Sequence, residues 1–464
     1  MLQENKTNKK SYFVNQVINI SHKTKDSLVG LYELNISKNK SPQILKIAPG
    51  TLIEEDIISF SQESEFDKNY FFFNSSLFKK KKSMTFYLNT NTLHIDNSFY
   101  SSTKNENYES LGLEFENQMK YQITIINFKP KITLFLKNWA LLLELNTSQN
   151  NLFYENQIKN ESNKKNGILL MPQFKLGRKF NKNSNLIFNY NFNQIIPDED
   201  NMFEGLVQSN FRNFNANIIN LEFLKTHNFN LSYKYYNFYS QTSFLGSVIY
   251  NHRENNYFSK NIIRNDISIF QKFYAPLGTN DYKILLNASI PSVFFKSTFI
   301  LSTSYSIIYE KNVINESDIR NSIGKSLNLN FITRTKLSKN LNWYNEINYF
   351  KNEFLIKDFN LKNQFSSVMG SSKFLVGKVG STFNASAKLM FLKNDLQEKE
   401  QYYFLETGIN YKPKKLNKLS FSLTGRNLTN NKTLINRNIS DFSSSTSNVK
   451  ILSRFILFQT SLNF

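Results

Sequence analysis

The chain closes on RFILFQTSLNF, Arg454 to Phe464. Counting back in twos from Phe464 gives Leu462, Thr460, Phe458 and Ile456, while Asn463, Ser461, Gln459 and Leu457 fall between them. Alternation with a period of two is the mark of a β-strand with two unlike faces. Here one face is greasy and ends on an aromatic ring.

The same rhythm recurs upstream. Leu186, Phe188, Tyr190 and Phe192 alternate with Ile187, Asn189, Asn191 and Asn193. Phe229, Leu231, Tyr233 and Tyr235 alternate with Asn230, Ser232, Lys234 and Tyr236. Leu327, Leu329, Phe331 and Thr333, then Phe383, Ala385, Ala387, Leu389 and Phe391, then Leu419, Phe421 and Leu423, repeat it. Helical spacing is scarce. Composition agrees, since 44 Phe and 24 Tyr against 2 Trp favour pleated surfaces. A mean hydropathy of −0.44 shows that the apolar residues are interleaved with polar ones rather than blocked together. No stretch approaches the ~18 consecutive apolar residues of a membrane-spanning helix.

Short polar turns are expected at Lys179–Asn185, Thr226–Asn228, Ser338–Asn340 and Lys412–Lys418, with Lys79–Lys82 as a further turn or rim segment. Long polar loops are expected near Gln194–Asn215, Glu310–Lys325 and Leu428–Lys450. Runs of about ten residues match the ~9–11 that a tilted strand needs to cross a bilayer. The expectation is therefore an all-β chain forming one large antiparallel transmembrane β-barrel of about 16–20 strands, with short periplasmic turns and long extracellular loops. It occupies residues 1–464, regular over 111–464 and less regular over 1–110, with no plug domain visible. A soluble sandwich is the alternative, because periodicity alone does not say which face points inward.

A barrel has no free edge, so the last strand is expected to close it, with Ile456, Phe458, Thr460, Leu462 and Phe464 facing lipid. A final aromatic suits the head-group boundary.

Gly425 to Phe464, GRNLTNNKTLINRNISDFSSSTSNVKILSRFILFQTSLNF, resembles the C-terminus of TonB-dependent outer-membrane receptors. The matching features are Asn427, Leu428 and Asn430 opening a long Ser/Asn loop, and Arg454 leading the last strand. Leu169 to Pro197, LLMPQFKLGRKFNKNSNLIFNYNFNQIIP, is similar to the hairpins of that family, most of all to members carrying a carboxypeptidase-like regulatory N-terminal domain. The resemblance implies uptake of a scarce solute such as a metal chelate, glycan or peptide. It implies as partners the barrel-assembly machinery, outer-membrane lipid and lipopolysaccharide, and an inner-membrane energy-coupling complex acting through a plug. Such receptors carry a signal peptide and a Gly-rich plug ahead of the barrel. This chain has 14 Gly in all and begins MLQENKTNKKSYF, without a secretory apolar core, so these parts are expected in an upstream frame or a separate chain. The rival functions are a plugless passive pore or structural barrel, and a soluble all-β binding protein.

No catalytic constellation stands out, and an enzyme is not expected. The four histidines, His22, His94, His227 and His252, have no metal-ligand spacing, and no Cys is present. His227 is read as a solvated turn residue. Gly370 to Lys378 has its glycines too far apart for a phosphate loop, and Val379 replaces the Ser/Thr. Asp198, Glu199, Asp200 and Glu204 read first as a solvated acidic loop, with few ligands for an oxygen-rich cation site; the alternative is a divalent cation bridging lipopolysaccharide, or contact with a ligand's positive groups. The excess of 57 Lys+Arg over 36 Asp+Glu points to anionic surfaces or an anionic solute. Strict alternation over many strands argues against a nucleic-acid stacking platform, which needs only a few exposed aromatics. Neither a cofactor nor a metal is expected.

Overall fold

A computed structural model of the chain describes residues 2–6, 12–23, 28–51, 57–105, 109–197, 202–210, 213–264, 267–377, 382–394, 401–413, 418–439 and 444–462. A 24-stranded sheet dominates it, and a further two-stranded hairpin, Thr433–Ile439 with Ser444–Lys450, stands apart. Tyr12–Lys23 pairs with Leu28–Thr51, and the chain then runs up and down through Ile57–Lys81, Met84–Asn105, Asn117–Leu136, Trp139–Asn156, Glu161–Lys179 and Ser184–Ile195. After a long connection the ladder resumes with Leu224–Asn237, Thr242–Arg253, Thr279–Ser292, Ser297–Ile314, Arg320–Lys336 and Leu341–Ile356. It finishes with Leu361–Val376, Phe383–Asn394, Gln401–Tyr411, Leu419–Arg426 and Phe455–Leu462. Every neighbour in this series is antiparallel. Among the described residues, Phe455–Leu462 pairs with Leu419–Arg426 on one edge, and no pairing joins it to Tyr12–Lys23.

Side chains sort cleanly between the two faces. Phe331 stands opposite Ile347, and Ile347 opposite Gly370, on one face; Asn330 stands opposite Asn348 on the other. The first face is apolar and open, with Val248, Ile284 and Ile347 each about half exposed at 53%, 50% and 52%. The second face holds the buried polar residues, among them Ser76, Asn89, Ser148 and Asn150. Among the described residues, buried polar side chains outnumber buried apolar ones, the reverse of a water-soluble sandwich. Leaving one large apolar side chain in water forgoes about 1.5–3 kcal/mol, so a surface carrying dozens of them requires a hydrocarbon solvent.

Aromatic rows border the apolar face. Tyr190, Phe229, Tyr250 and Tyr282 follow one another across four strands, with ring centroids 4.8, 5.9 and 4.9 Å apart. Towards the opposite rim, Trp343 stacks on Phe374 at 5.7 Å. Two such belts are what the two interfaces of a bilayer select.

Several expectations change in detail. Thr226–Asn228 is no turn: it lies inside Leu224–Asn237, and the turn that follows spans 238–241. Its tip is Phe238 and Tyr239, 75% and 96% exposed, and the tip between Ser292 and Ser297 carries Val293, Phe294 and Phe295, also exposed. Polarity marks a turn only where the tip meets water, and these tips sit next to the aromatic belt instead. The loop expected over Glu310–Lys325 shrinks to 315–319, because Lys311 pairs with Asn321 and Glu310 with Ser322. Strands are also longer than ten residues. The irregular N-terminal segment supplies the longest, of 24, 25 and 22 residues. Their far ends, such as Glu63, Glu65, Asp67 and Lys68, run past the apolar band, where nothing enforces alternation.

Several short turns place a lysine in the left-handed region, including Lys82 (φ 42°) and Lys137 (φ 43°). A side chain there costs roughly 1–2 kcal/mol, part of which glycine returns as unfolded-state entropy. Lys137→Gly should therefore stabilise the folded chain by about 0.5–1 kcal/mol, read as a higher urea midpoint for unfolding from lipid vesicles.

Candidate functional site

The polar face changes character along its length. Midway it carries an amide ladder. Asn89 donates to Asn74 Oδ1 (2.5 Å) and to Ser76 Oγ (2.8 Å), Asn91 donates to Asn89 Oδ1 (3.1 Å), and Asn127 donates to Asn91 Oδ1 (2.7 Å). Each of these four asparagines has a partner on a neighbouring strand, so this stretch of the wall stays polar at little cost. Asn89→Leu would strip partners from Asn91 and Ser76 at a cost of about 1–3 kcal/mol, measurable as a lower unfolding midpoint.

Towards the loop rim the same face becomes apolar and is covered. Ile95, Met119, Tyr121, Ile123, Ile125, Leu152 and Tyr154 pack against Met202, Leu221 and Phe223 of the connection between Ile195 and Leu224. That connection folds back over the wall it leaves, and its short strands Val207–Asn210 and Asn213–Asn217 pair with each other. Phe115, Leu206, Phe214 and Ala216 make a second small cluster beside it.

Polar contacts fix this covering loop at both ends. The Tyr121 hydroxyl donates to the Pro197 carbonyl at 3.2 Å. Glu204 takes an ion pair from Lys159 at 2.5 Å and a hydrogen bond from Asn156 at 3.1 Å. The Gly205 and Leu206 amides donate to Asn117 Oδ1 (2.8 Å) and to the Glu114 carbonyl (2.7 Å). The buried Gln208 amide donates to Gln62 Oε1 at 2.8 Å. At the far end Lys165 pairs with Glu222 at 2.8 Å, Asn255 donates to the Phe223 carbonyl at 2.9 Å, and the Tyr257 hydroxyl donates to the Asn220 carbonyl. Burial pushes the Tyr257 phenol above its usual range and keeps it a donor.

A cavity of about 820 Å³ opens between this loop and the neighbouring rim connections, lined among others by Glu114, Glu116, Lys159, Glu161, Glu204 and Gln271. Its charge is predominantly negative. The positive excess of the chain lies elsewhere, so an anionic solute, expected from net charge alone, has no counterpart in this cavity.

Of the acidic group singled out in the sequence, Glu204 is a clamp of the loop, while Asp198, Glu199 and Asp200 lie outside the described residues. His227 belongs to a strand rather than a turn. Its Nε2 lies 3.0 Å from Glu254 and its Nδ1 3.1 Å from the Tyr190 hydroxyl, on the apolar face at the loop rim. Of the five residues assigned to the closing strand, Ile456, Phe458, Thr460 and Leu462 share one face of Phe455–Leu462, opposite Gly425, Leu423, Phe421 and Leu419. Phe458 lies 6.2 Å from Phe421, continuing the apolar face of the sheet. Phe464 lies outside the described residues. The covering loop was missed in the sequence because its apolar residues, Met202, Phe203, Leu206, Phe214, Leu221 and Phe223, follow no period.

No model of a known protein family matches the chain, and no curated protein matches it. Solved structures do. The ferripyoverdine receptor of the outer membrane of Pseudomonas aeruginosa, bound to ferripyoverdine, aligns over 97% of this chain and 56% of its own, with 11% identity and a TM-score of 0.51. The FpvAI–pyocin S2 complex aligns over 97% and 54%, with 12% identity and a TM-score of 0.50. The chain thus spans about half the length of these structures. At such identity the likeness is one of fold: the strand arrangement is that of a large outer-membrane β-barrel.

Proposed function

We propose that the chain is the barrel of an outer-membrane uptake receptor of the TonB-dependent kind. In this reading the apolar face meets lipid, the amide-lined face encloses the route, the short-turn rim is periplasmic and the loop rim extracellular. The covered polar face carries the reading: a wall lined by Asn74, Asn89, Asn91 and Asn127 lies below a loop clamped at Gly205 and Glu204. An open pore has no use for a clamped cover, whereas a receptor holds its solute above a closed route until energy is supplied. The solute is a scarce chelate offering neutral or positive groups to the glutamates of the rim cavity, and ferric chelates are the first class to try. Release is driven by an inner-membrane energy complex through a plug.

Energy dependence tests this reading. Gram-negative cells making the chain together with its plug should accumulate a labelled ferric chelate, and a proton uncoupler should abolish that accumulation. Leakage of small solutes that is indifferent to the uncoupler identifies a passive pore instead. Recovery of the chain in the soluble fraction without detergent would end both readings.

A further inference from the structure

Three lysines from three neighbouring strands converge on one carboxylate. Lys325, Lys351 and Lys362 place their Nζ atoms 3.6, 3.9 and 3.0 Å from Glu353, whose side chain is only 16% exposed. Three cations against one anion leave the cluster positively charged.

Its position is as telling as its charge. Ile347, Tyr349, Lys351 and Glu353 follow one another at every second position of Leu341–Ile356, so all project from the apolar face. Lys325 stands directly opposite Glu353, and Leu329 directly opposite Tyr349. Along the strand, then, the half-exposed Ile347 gives way to an aromatic and then, about 7 Å further, to the lysines. Nearby Lys357 lies over the Tyr309 ring, 5.8 Å from its centroid, and adds a fourth cation to this rim. The Asp358 carboxylate is occupied by the Asn321 amide at 3.0 Å.

We propose that Lys325, Lys351 and Lys362 dock the phosphate groups of a phosphorylated glycolipid packed against the barrel in the outer leaflet. The proposal rests on the outer-membrane reading, which sets these lysines at head-group level on the loop side. Ammonium groups held this close repel one another. A phosphate presents several acceptor oxygens, forms charge-assisted hydrogen bonds with more than one Nζ, and supplies the charge that Glu353 alone does not. Glu353 offsets one of the three charges and leaves the rest to a phosphate.

The test uses the 464-residue chain inserted in phosphatidylcholine vesicles carrying a trace of a bisphosphorylated diglucosamine lipid or its dephosphorylated form. Retention after purification in lipid discs is read by mass spectrometry. The wild-type chain should prefer the phosphorylated form, and Lys325→Gln/Lys351→Gln/Lys362→Gln should weaken retention by about 30-fold or more. Glu353→Gln should move it the other way, which separates a site effect from a folding defect. Equal retention of both lipids, or retention indifferent to the lysines in an inserted chain, overturns this proposal alone and leaves three solvated lysines. So does binding of inorganic phosphate to the inserted chain without any preference for the phosphorylated lipid. A chain that never enters the vesicles overturns the outer-membrane reading, and the lipid site with it.

Discussion

Gly205→Val is expected to lift the covering loop off the wall while leaving the strand ladder intact. A Cβ at Gly205 would lie 2.4 Å from the Glu116 carbonyl oxygen and 2.8 Å from Asn117 Nδ2, closer than real Cβ contacts allow. The backbone must therefore retreat, and with it go the Gly205 and Leu206 amide bonds to Asn117 Oδ1 and the Glu114 carbonyl. Overpacking plus two lost hydrogen bonds amounts to roughly 3 kcal/mol, enough to loosen the loop at this end, although Asn213–Asn217 still pairs with Ile267–Ala275 of the sheet. Limited chymotrypsin digestion in micelles should reveal new cuts beside Phe203 and Phe223, while the folded band on an unheated gel persists. An unchanged digestion pattern would refute the clamp at Gly205. Asn117→Ala should act in the same direction and more weakly, because it removes one acceptor and leaves the backbone room.

The second large effect is a contrast between neighbouring positions. Ile347→Arg should cost about 2–4 kcal/mol of folding free energy in a bilayer, because Ile347 sits midway between the Trp343 and Lys351 levels of the apolar face. Asn348→Arg should change little, since Asn348 faces the polar side opposite Asn330. In a water-soluble protein the order would be reversed: arginine at a half-exposed position is harmless, and arginine on the enclosed face is not. Urea titrations of folding into vesicles measure both variants, and equal losses would remove the basis for placing lipid on the apolar face.

Much of this architecture was readable from alternation. Leu327, Leu329 and Phe331, or Phe383 through Phe391, kept their common face in the structure, because lipid on one side and an enclosed polar interior on the other act on every second residue. The period failed where one of those two environments was missing. Beyond the apolar band, as around Glu63 to Lys68, both faces meet water and the pattern dissolves although the strand continues. At Phe238–Tyr239 and Phe294–Phe295 the turns touch the interface, so aromatics occupy positions where polar residues announce a turn elsewhere. The Thr226–Asn228 triplet misled for the converse reason: His227 is polar in composition but sits among rings, 4.6 Å from Phe192 and 6.0 Å from His252. The candidate site was the least readable part. Glu204, Gly205 and Gln208 meet their partners Lys159, Asn117 and Gln62 from far along the chain, and no spacing records that.

Strand length falls from 24 and 25 residues in Leu28–Thr51 and Ile57–Lys81 to 8 in both Leu419–Arg426 and Phe455–Leu462. At about 3.3 Å per residue, even after allowing for tilt, one flank stands several nanometres taller than the other. The early strands therefore outreach the late ones, above which only the hairpin of Thr433–Ile439 and Ser444–Lys450 continues at that rim. A large probe arriving from water would touch the ends of the long early strands before it reached those of the short late ones.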